Sequence, residues 1–201
     1  FADDYRALIV RDDIDALSIS TPNALHEGMI ADALRAGKHL YIDKPLTVDG
    51  ASAARIEAAA RASSSITQMA FNNRFFPSVL RAKQLIDEGR LGNLLTFSAR
   101  YDHSGSIDPG RPAGWKMLDS AGVLLDLGSH ALDMLAYLIG YPEKVLCRLR
   151  TLYPNRPAPG GGVAENVADD QAVMMLEMPG GAVGTVTASK ITTGAEDELS
   201  F

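Results

Sequence analysis

The chain holds a single cysteine, Cys147, among 201 residues. That excludes an intrachain disulfide framework and a cysteine-built zinc centre. It has no basic surplus: 19 Lys and Arg stand against 25 Asp and Glu, a formal net charge of -6. A polyanion partner needs a basic face, so no nucleic acid is expected as a partner. No apolar run reaches the length of a membrane span. The longest candidate, residues 122–139, is interrupted by Asp126, His130 and Asp133, so no membrane partner is expected. The opening residues lack the pattern of a signal peptide, and the expected location is cytoplasmic. What is present, 46% hydrophobic and 22% charged residues, is ordinary for a folded globular chain and rules out a disordered one.

Residues 1–71 alternate strand and helix. A helix is expected over 4–10, and the apolar run 14–20 has the signature of a buried strand. Thr21-Pro22 suits a helix start, with Thr as cap and Pro at the first helical position. The spacing of Leu25, Met29, Ala33 and Ala36 predicts a helix over 24–36, closed by Gly37. A strand over 38–42, an alanine-rich helix over 50–62 capped by Asp49, and a strand over 66–71 follow. Such alternation with short loops means βαβ units on a parallel sheet.

After residue 72 the pattern changes. A helix is predicted over 76–88, a strand over 94–101 and a long helix over 122–139. Strands over 144–152, 171–178 and 182–190 have no helices between them. The turn Met178-Pro179-Gly180-Gly181 makes the last two an antiparallel hairpin. The Pro- and Gly-rich stretch 154–162 reads as a loop. The fold class is therefore α/β followed by α+β: part of a parallel sheet over 1–71, then a domain with an open, mostly antiparallel sheet over 72–201. The late strands carry apolar residues on both faces, among them Val173, Met175, Ala182, Val183, Val186 and Ala188. An uncovered apolar sheet face is a liability in water, so a homo-oligomer packed sheet against sheet is expected.

Three segments carry candidate chemistry. Asp126, His130 and Asp133 fall at i, i+4 and i+7 of the long predicted helix, one narrow stripe among apolar neighbours. Three readings stay open: a solvent stripe or structural Asp–His bond, a metal site, and acid–base chemistry by a histidine that a carboxylate orients. Lys44 sits at the carboxyl end of a predicted parallel strand, where ligands of open α/β sheets bind, and Pro45 stiffens the backbone beneath it. There it is either a solvated lysine or a group that holds an alkoxide. The segment from Ser20 to His26 also follows a strand end. It is plain capping, or a helix start that uses Asn23 and His26 on a polar ligand.

Taken in chain order, Thr21-Pro22-Asn23-Ala24-Leu25-His26, Asp43-Lys44-Pro45 and residues 121–133 (AGVLLDLGSHALD) resemble the glucose–fructose oxidoreductase/inositol dehydrogenase (Gfo/Idh/MocA) family. Flanking matches are Ala36-Gly37-Lys38-His39, Asn73-Arg74-Phe75, Trp115-Lys116, Asp170-Gln171-Ala172 and Gly184-Thr185, so the resemblance covers essentially the whole chain. It implies a Rossmann domain, an α+β domain that makes dimer or tetramer contacts, and hydride transfer between NAD or NADP and a sugar, inositol or related polyol. Carried over residue by residue, Lys44, Asp126 and His130 are the catalytic set. Ser20, Thr21, Pro22, Asn23, His26, Asp43 and Lys44 line the cofactor side, with Arg74 and Trp115 as weaker cofactor matches. No metal is implied, and a cis Lys44–Pro45 bond is.

The departures are Asp43 for the family's glutamate, Lys116 for its arginine, Ser120-Ala121-Gly122 for a glycine-rich start, and the lack of any G-x-G-x-x-G. That lack implies that roughly 60 residues, two βα units, precede Phe1, and that a comparable or larger piece follows Phe201. Two rival functions stand beside the dehydrogenase: a non-catalytic sugar or cofactor sensor on the same scaffold, and a metal-dependent lyase or hydrolase built on Asp126 and His130.

Overall fold

Short apolar runs give three strands, β1 (Ala16–Ile19), β2 (His39–Ile42) and β3 (Thr67–Met69), paired parallel in that order. The structure, a computed structural model, describes residues 2–114, 117 and 122–201. It has two compact units, Phe1–Phe71 and Asn72–Phe201. In the first, α1 (Arg6–Ile9), α2 (His26–Arg35) and α3 (Gly50–Ala62) accompany the strands. Ile30, Ala33 and Leu34 line the buried stripe of α2 and pack with Ile19, Leu40, Ile42 and Ile56 into one core. Asp49 caps α3, its carboxylate accepting the Ser52 N–H at 2.9 Å. Gly37 ends α2 with φ +72°, and its N–H and that of Lys38 satisfy the carbonyls of Leu34 and Ala33.

The entry to α2 differs from expectation. Thr21 does not cap it. Pro22 is extended (φ -55°, ψ 136°), a 3₁₀ turn over Asn23–Leu25 leads into the helix, and the Thr21 hydroxyl turns to Met29 Sδ at 3.4 Å. No side chain caps this turn; Asn23 and His26 instead tie it to the carbonyls of Pro45, Leu46 and Thr21.

The second unit has α4 (Pro77–Asp87), β4 (Thr96–Asp102), α5 (Ser129–Ile139), β5 (Lys144–Arg150), β6 (Asn155–Pro157), β7 (Val163–Glu165), β8 (Gln171–Glu177), β9 (Val183–Ser189) and β10 (Glu198–Ser200). Five strands form one sheet in the order β10-β4-β9-β8-β5, antiparallel except for the central β4–β9 pair. The β8–β9 hairpin forms around the glycine turn, with Gly180 and Gly181 both at positive φ. Met174 and Leu176 of β8 point inward to Ala131 and Leu135 of α5, and Ala172 to Val123 and Leu127, while Val173 and Met175 stay exposed. The stretch 154–162 is not a plain loop, for it contains β6 and reaches β7, pairing Arg156 with Ala164. These strands are too short to show in sequence; the buried side chain of Arg156 fixes them. Among the described residues no helix is long and apolar enough to cross a membrane.

Gly184 makes the parallel β4–β9 pair possible. A Cβ there would lie 2.4 Å from the Phe97 carbonyl oxygen and 2.5 Å from its ring. Gly184→Ala is expected to cost about 2–3 kcal/mol by overpacking, read as a lower urea midpoint at unchanged slope in the full-length protein.

Candidate active site

In the first unit the carboxyl ends of β1 and β2 carry two loops that are tied together. Asn23 Nδ2 donates to the Pro45 carbonyl at 3.1 Å. The His26 ring, fully buried, bridges two carbonyl oxygens: Nδ1 lies 3.0 Å from that of Leu46 and Nε2 3.0 Å from that of Thr21. These two side chains face inward and act on the loops through backbone. Ser20, Pro22 and Asp43 are exposed, and Thr21 and Lys44 half-buried. The Lys44–Pro45 bond is cis, as the resemblance implies. The Asp43 carboxylate accepts the Lys44 N–H at 2.8 Å, which fastens the backbone under the lysine.

In the second unit the polar stripe is not one group. The long predicted helix is wound as a π-segment over Leu124–Gly128 before α5, and i→i+5 bonding turns each residue by less than an α-helix does. Asp126 is thereby offset from the line through His130 and Asp133, and each finds its own partner. Asp126 Oδ2 meets Lys190 Nζ at 3.0 Å, with only 14% and 12% of the two side chains exposed. His130 packs against Tyr101, ring centroids 5.8 Å apart, and its Nδ1 lies 3.5 Å from Asn73 Nδ2. Burial, then the charge of Asp197, holds the Tyr101 hydroxyl above the usual tyrosine range. Asp133 is buried and takes the Arg74 guanidinium in a fork, Nε–Oδ2 at 2.8 Å and Nη2 on Oδ1. Arg74 also lies over the Tyr137 ring at 5.3 Å. Its hydrogen bond to Asp133 pushes Arg74 further up in pKa. Trp115 lies outside the described residues.

The π-segment starts on Asp169. Its carbonyl accepts the Val123 N–H and its carboxylate the Leu124 N–H, both at 2.8 Å. Gly122 gives it room, since a Cβ there would fall 1.8 Å from Asp169 Oδ1. Asp126, Asp169 and Lys190 line a cavity of about 400 Å³ with His103, Arg111 and Met117. Sequence reasoning missed Lys190 and Asp169 as site residues; the only signal for Lys190 was its position directly after β9. His103 directly follows β4, in the polar, Gly- and Pro-rich stretch 102–114 that the sequence offers as a specificity loop. Among the described residues no group of three His, Cys, Asp or Glu could hold a metal ion.

Residues 1–71 match the profile of the oxidoreductase family with an NAD-binding Rossmann fold, and residues 79–201 that of the GFO/IDH/MocA C-terminal domain. The chain belongs to this family. Among the family's members it is 33% identical to levoglucosan dehydrogenase of Pseudarthrobacter phenanthrenivorans, over 98% of this chain and 55% of that protein. It is 31% identical to the NAD(+)-dependent scyllo-inositol 2-dehydrogenase of Bacillus subtilis, over 92% of this chain and 51% of that one. Levoglucosan dehydrogenase in complex with NADH and levoglucosan superposes with a TM-score of 0.93 at 34% identity, over 98% of this chain and 54% of that one. The chain thus spans about half the length of the curated relatives it matches.

Within this family member, breaking the Asp126–Lys190 pair disturbs the fold as well as the site. Lys190→Met leaves a nearly buried carboxylate without its ammonium and is expected to cost about 3 kcal/mol. Adding Asp126→Asn to that variant should recover most of the loss. Urea unfolding of the full-length protein and its two variants measures both.

Proposed function

We propose that the protein is a nicotinamide-dependent dehydrogenase that oxidises a hydroxyl of a sugar, inositol or related polyol and runs the reverse reduction. The observation that carries this reading is Asp126 on the wall of a 400 Å³ cavity, four residues before His130, with its charge held by Lys190. The levoglucosan and scyllo-inositol dehydrogenases named above support the substrate class. The residues present fit a dinucleotide at the carboxyl ends of the parallel strands, where Ser20, Thr21, Pro22, Asp43 and Lys44 offer exposed or half-exposed polar edges. When bound, NAD or NADP supplies hydride transfer to or from the carbinol carbon.

The chain's own groups supply the rest. His130 takes the hydroxyl proton on oxidation and returns it on reduction. The Lys44 ammonium stabilises the alkoxide that develops as the proton leaves. Asp126 orients this set. Asn23 and His26 serve the cofactor loop through its backbone, and Arg74, bound to Asp133, fixes the start of the second unit against α5. His130→Asn is expected to lower kcat by roughly 10²–10⁴-fold with little change in polyol KM. Steady-state kinetics of the full-length protein on a panel of polyols with both cofactors measures this, and a variant with wild-type kcat would remove His130 from the mechanism.

The same reading includes a homo-oligomer, dimer or tetramer, working in the cytoplasm beside its nicotinamide pool. Register puts Leu146 opposite Met175, on the face that also carries Val173 and Val183, each between 42% and 66% exposed. Apolar rows of this kind call for a covering subunit. Light scattering of the full-length protein at micromolar concentration should give a dimer or larger, and Leu146→Glu with Met175→Glu should give monomer.

A further inference from the structure

His103 lines the cavity and has no part in the proposed chemistry. Its backbone is pinned on both sides, its N–H to the Ser189 carbonyl at 2.9 Å and its carbonyl to the Thr192 N–H at 3.2 Å. The Gly105 N–H donates to its Nδ1 at 2.9 Å. An acceptor nitrogen carries no proton, so the ring is the neutral tautomer with hydrogen on Nε2. Among the described residues no protein acceptor meets that Nε2–H. Burial first, then the Lys190 charge, holds His103 below the usual histidine pKa. Arg111 adds in the same sense, and Asp197 and Asp126 oppose it.

The loop beneath the ring is built to keep this state. Gly105 is bracketed: a Cβ there would lie 3.0 Å from His103 Nδ1 and 3.1 Å from Arg111 Nη1, and Arg111 donates to the Gly105 carbonyl. The next carbonyls are taken from below. Buried Arg156 donates to Ser106 at 2.7 Å and Asp108 at 2.8 Å, and the Tyr153 hydroxyl to Ile107 at 3.1 Å. Lys190 and Arg111 share the wall with the carboxylates of Asp126, Asp169 and Asp170, so the cavity has no cationic surplus and favours a neutral ligand over an anion. Hydroxyls both accept and donate, and the wall sets the His103 donor among the carboxylates of Asp126 and Asp169.

We infer that His103 is a specificity-determining residue: its Nε2–H donates a hydrogen bond to a hydroxyl or ring oxygen of a neutral, polyhydroxylated substrate in this cavity. The inference rests on the dehydrogenase reading and adds the group that selects among polyols. A site built to bond a particular hydroxyl discriminates strongly against ligands that lack it.

The test uses the full-length protein with levoglucosan and scyllo-inositol as probes. In His103→Asn the side-chain oxygen still accepts from the N–H two residues on, so the loop survives while the Nε2 donor is lost. His103→Phe removes both. Each variant should raise polyol KM roughly tenfold or more, with cofactor KM unchanged. Histidine ¹⁵N NMR, with the signal identified by its loss in His103→Asn, should show the Nε2–H tautomer and a shift on adding a polyol. Wild-type polyol KM in His103→Asn, the Nδ1–H tautomer, or a signal unmoved by both probes would each overturn the inference. A wild-type protein that shifts this signal with a polyol but oxidises none with either cofactor supports His103 and overturns the dehydrogenase reading instead.

Discussion

Two consecutive aspartates hold the second unit's chemistry in register. Asp169 satisfies two backbone N–H groups at the start of the π-segment, groups that a helix cannot bond internally. Asp170 does the same for the sheet. Its N–H goes to the Arg150 carbonyl, its carboxylate accepts from Leu152 and its carbonyl accepts from Lys190. One dipeptide thus fixes where the helix bearing Asp126 and His130 begins, where β5 ends and where Lys190 leaves β9. Gly122 is the condition for it, because any side chain there would occupy the Asp169 carboxylate's place.

Charge in this unit is handled by close pairing. Asp126 with Lys190, and Asp133 beneath a partly exposed Arg74, are carboxylates withdrawn from water, where an unpaired charge would be costly. Such pairs add little net stability, but they hold each side chain in one place. Asp126 is therefore presented to the cavity as part of a neutral pair, and Asp133, which shares its helix, serves the fold. The π-segment separates these two duties, as local departures from α-helical winding at functional sites often do.

The first unit uses buried polar side chains to shape its exposed loops. Asn23 and His26 each span the gap between the ends of β1 and β2, so the backbone around Pro45 and Thr21 has one conformation. The exposed edge then comprises short polar groups and Lys44 on a rigid footing, the preorganisation that a positioned cation needs to act on a developing charge.

Local patterns in the sequence determined most of the elements. Period-2 and period-3.6 spacing, the Asp49 cap, the Gly37 and Gly180-Gly181 turns and the order of the three motifs all act within a few residues, and a linear reading captures interactions of that range. The strand bounds came within a few residues for the same reason, and the motif residues Lys44, Asp126 and His130 were legible as types in order. Only tertiary structure decided the partners. Lys190 for Asp126 depends on where β9 ends beside the π-segment, and Arg74 for Asp133 on how the turn before α4 packs on α5, and both are set by packing over the whole unit. The π-winding and the β6–β7 hairpin were hidden as well, because a remote carboxylate and a buried arginine hold them where local propensity gives no preference. A capping threonine was legible but not used, since its hydroxyl turns to Met29 and the chain enters α2 through a 3₁₀ turn after an extended Pro22.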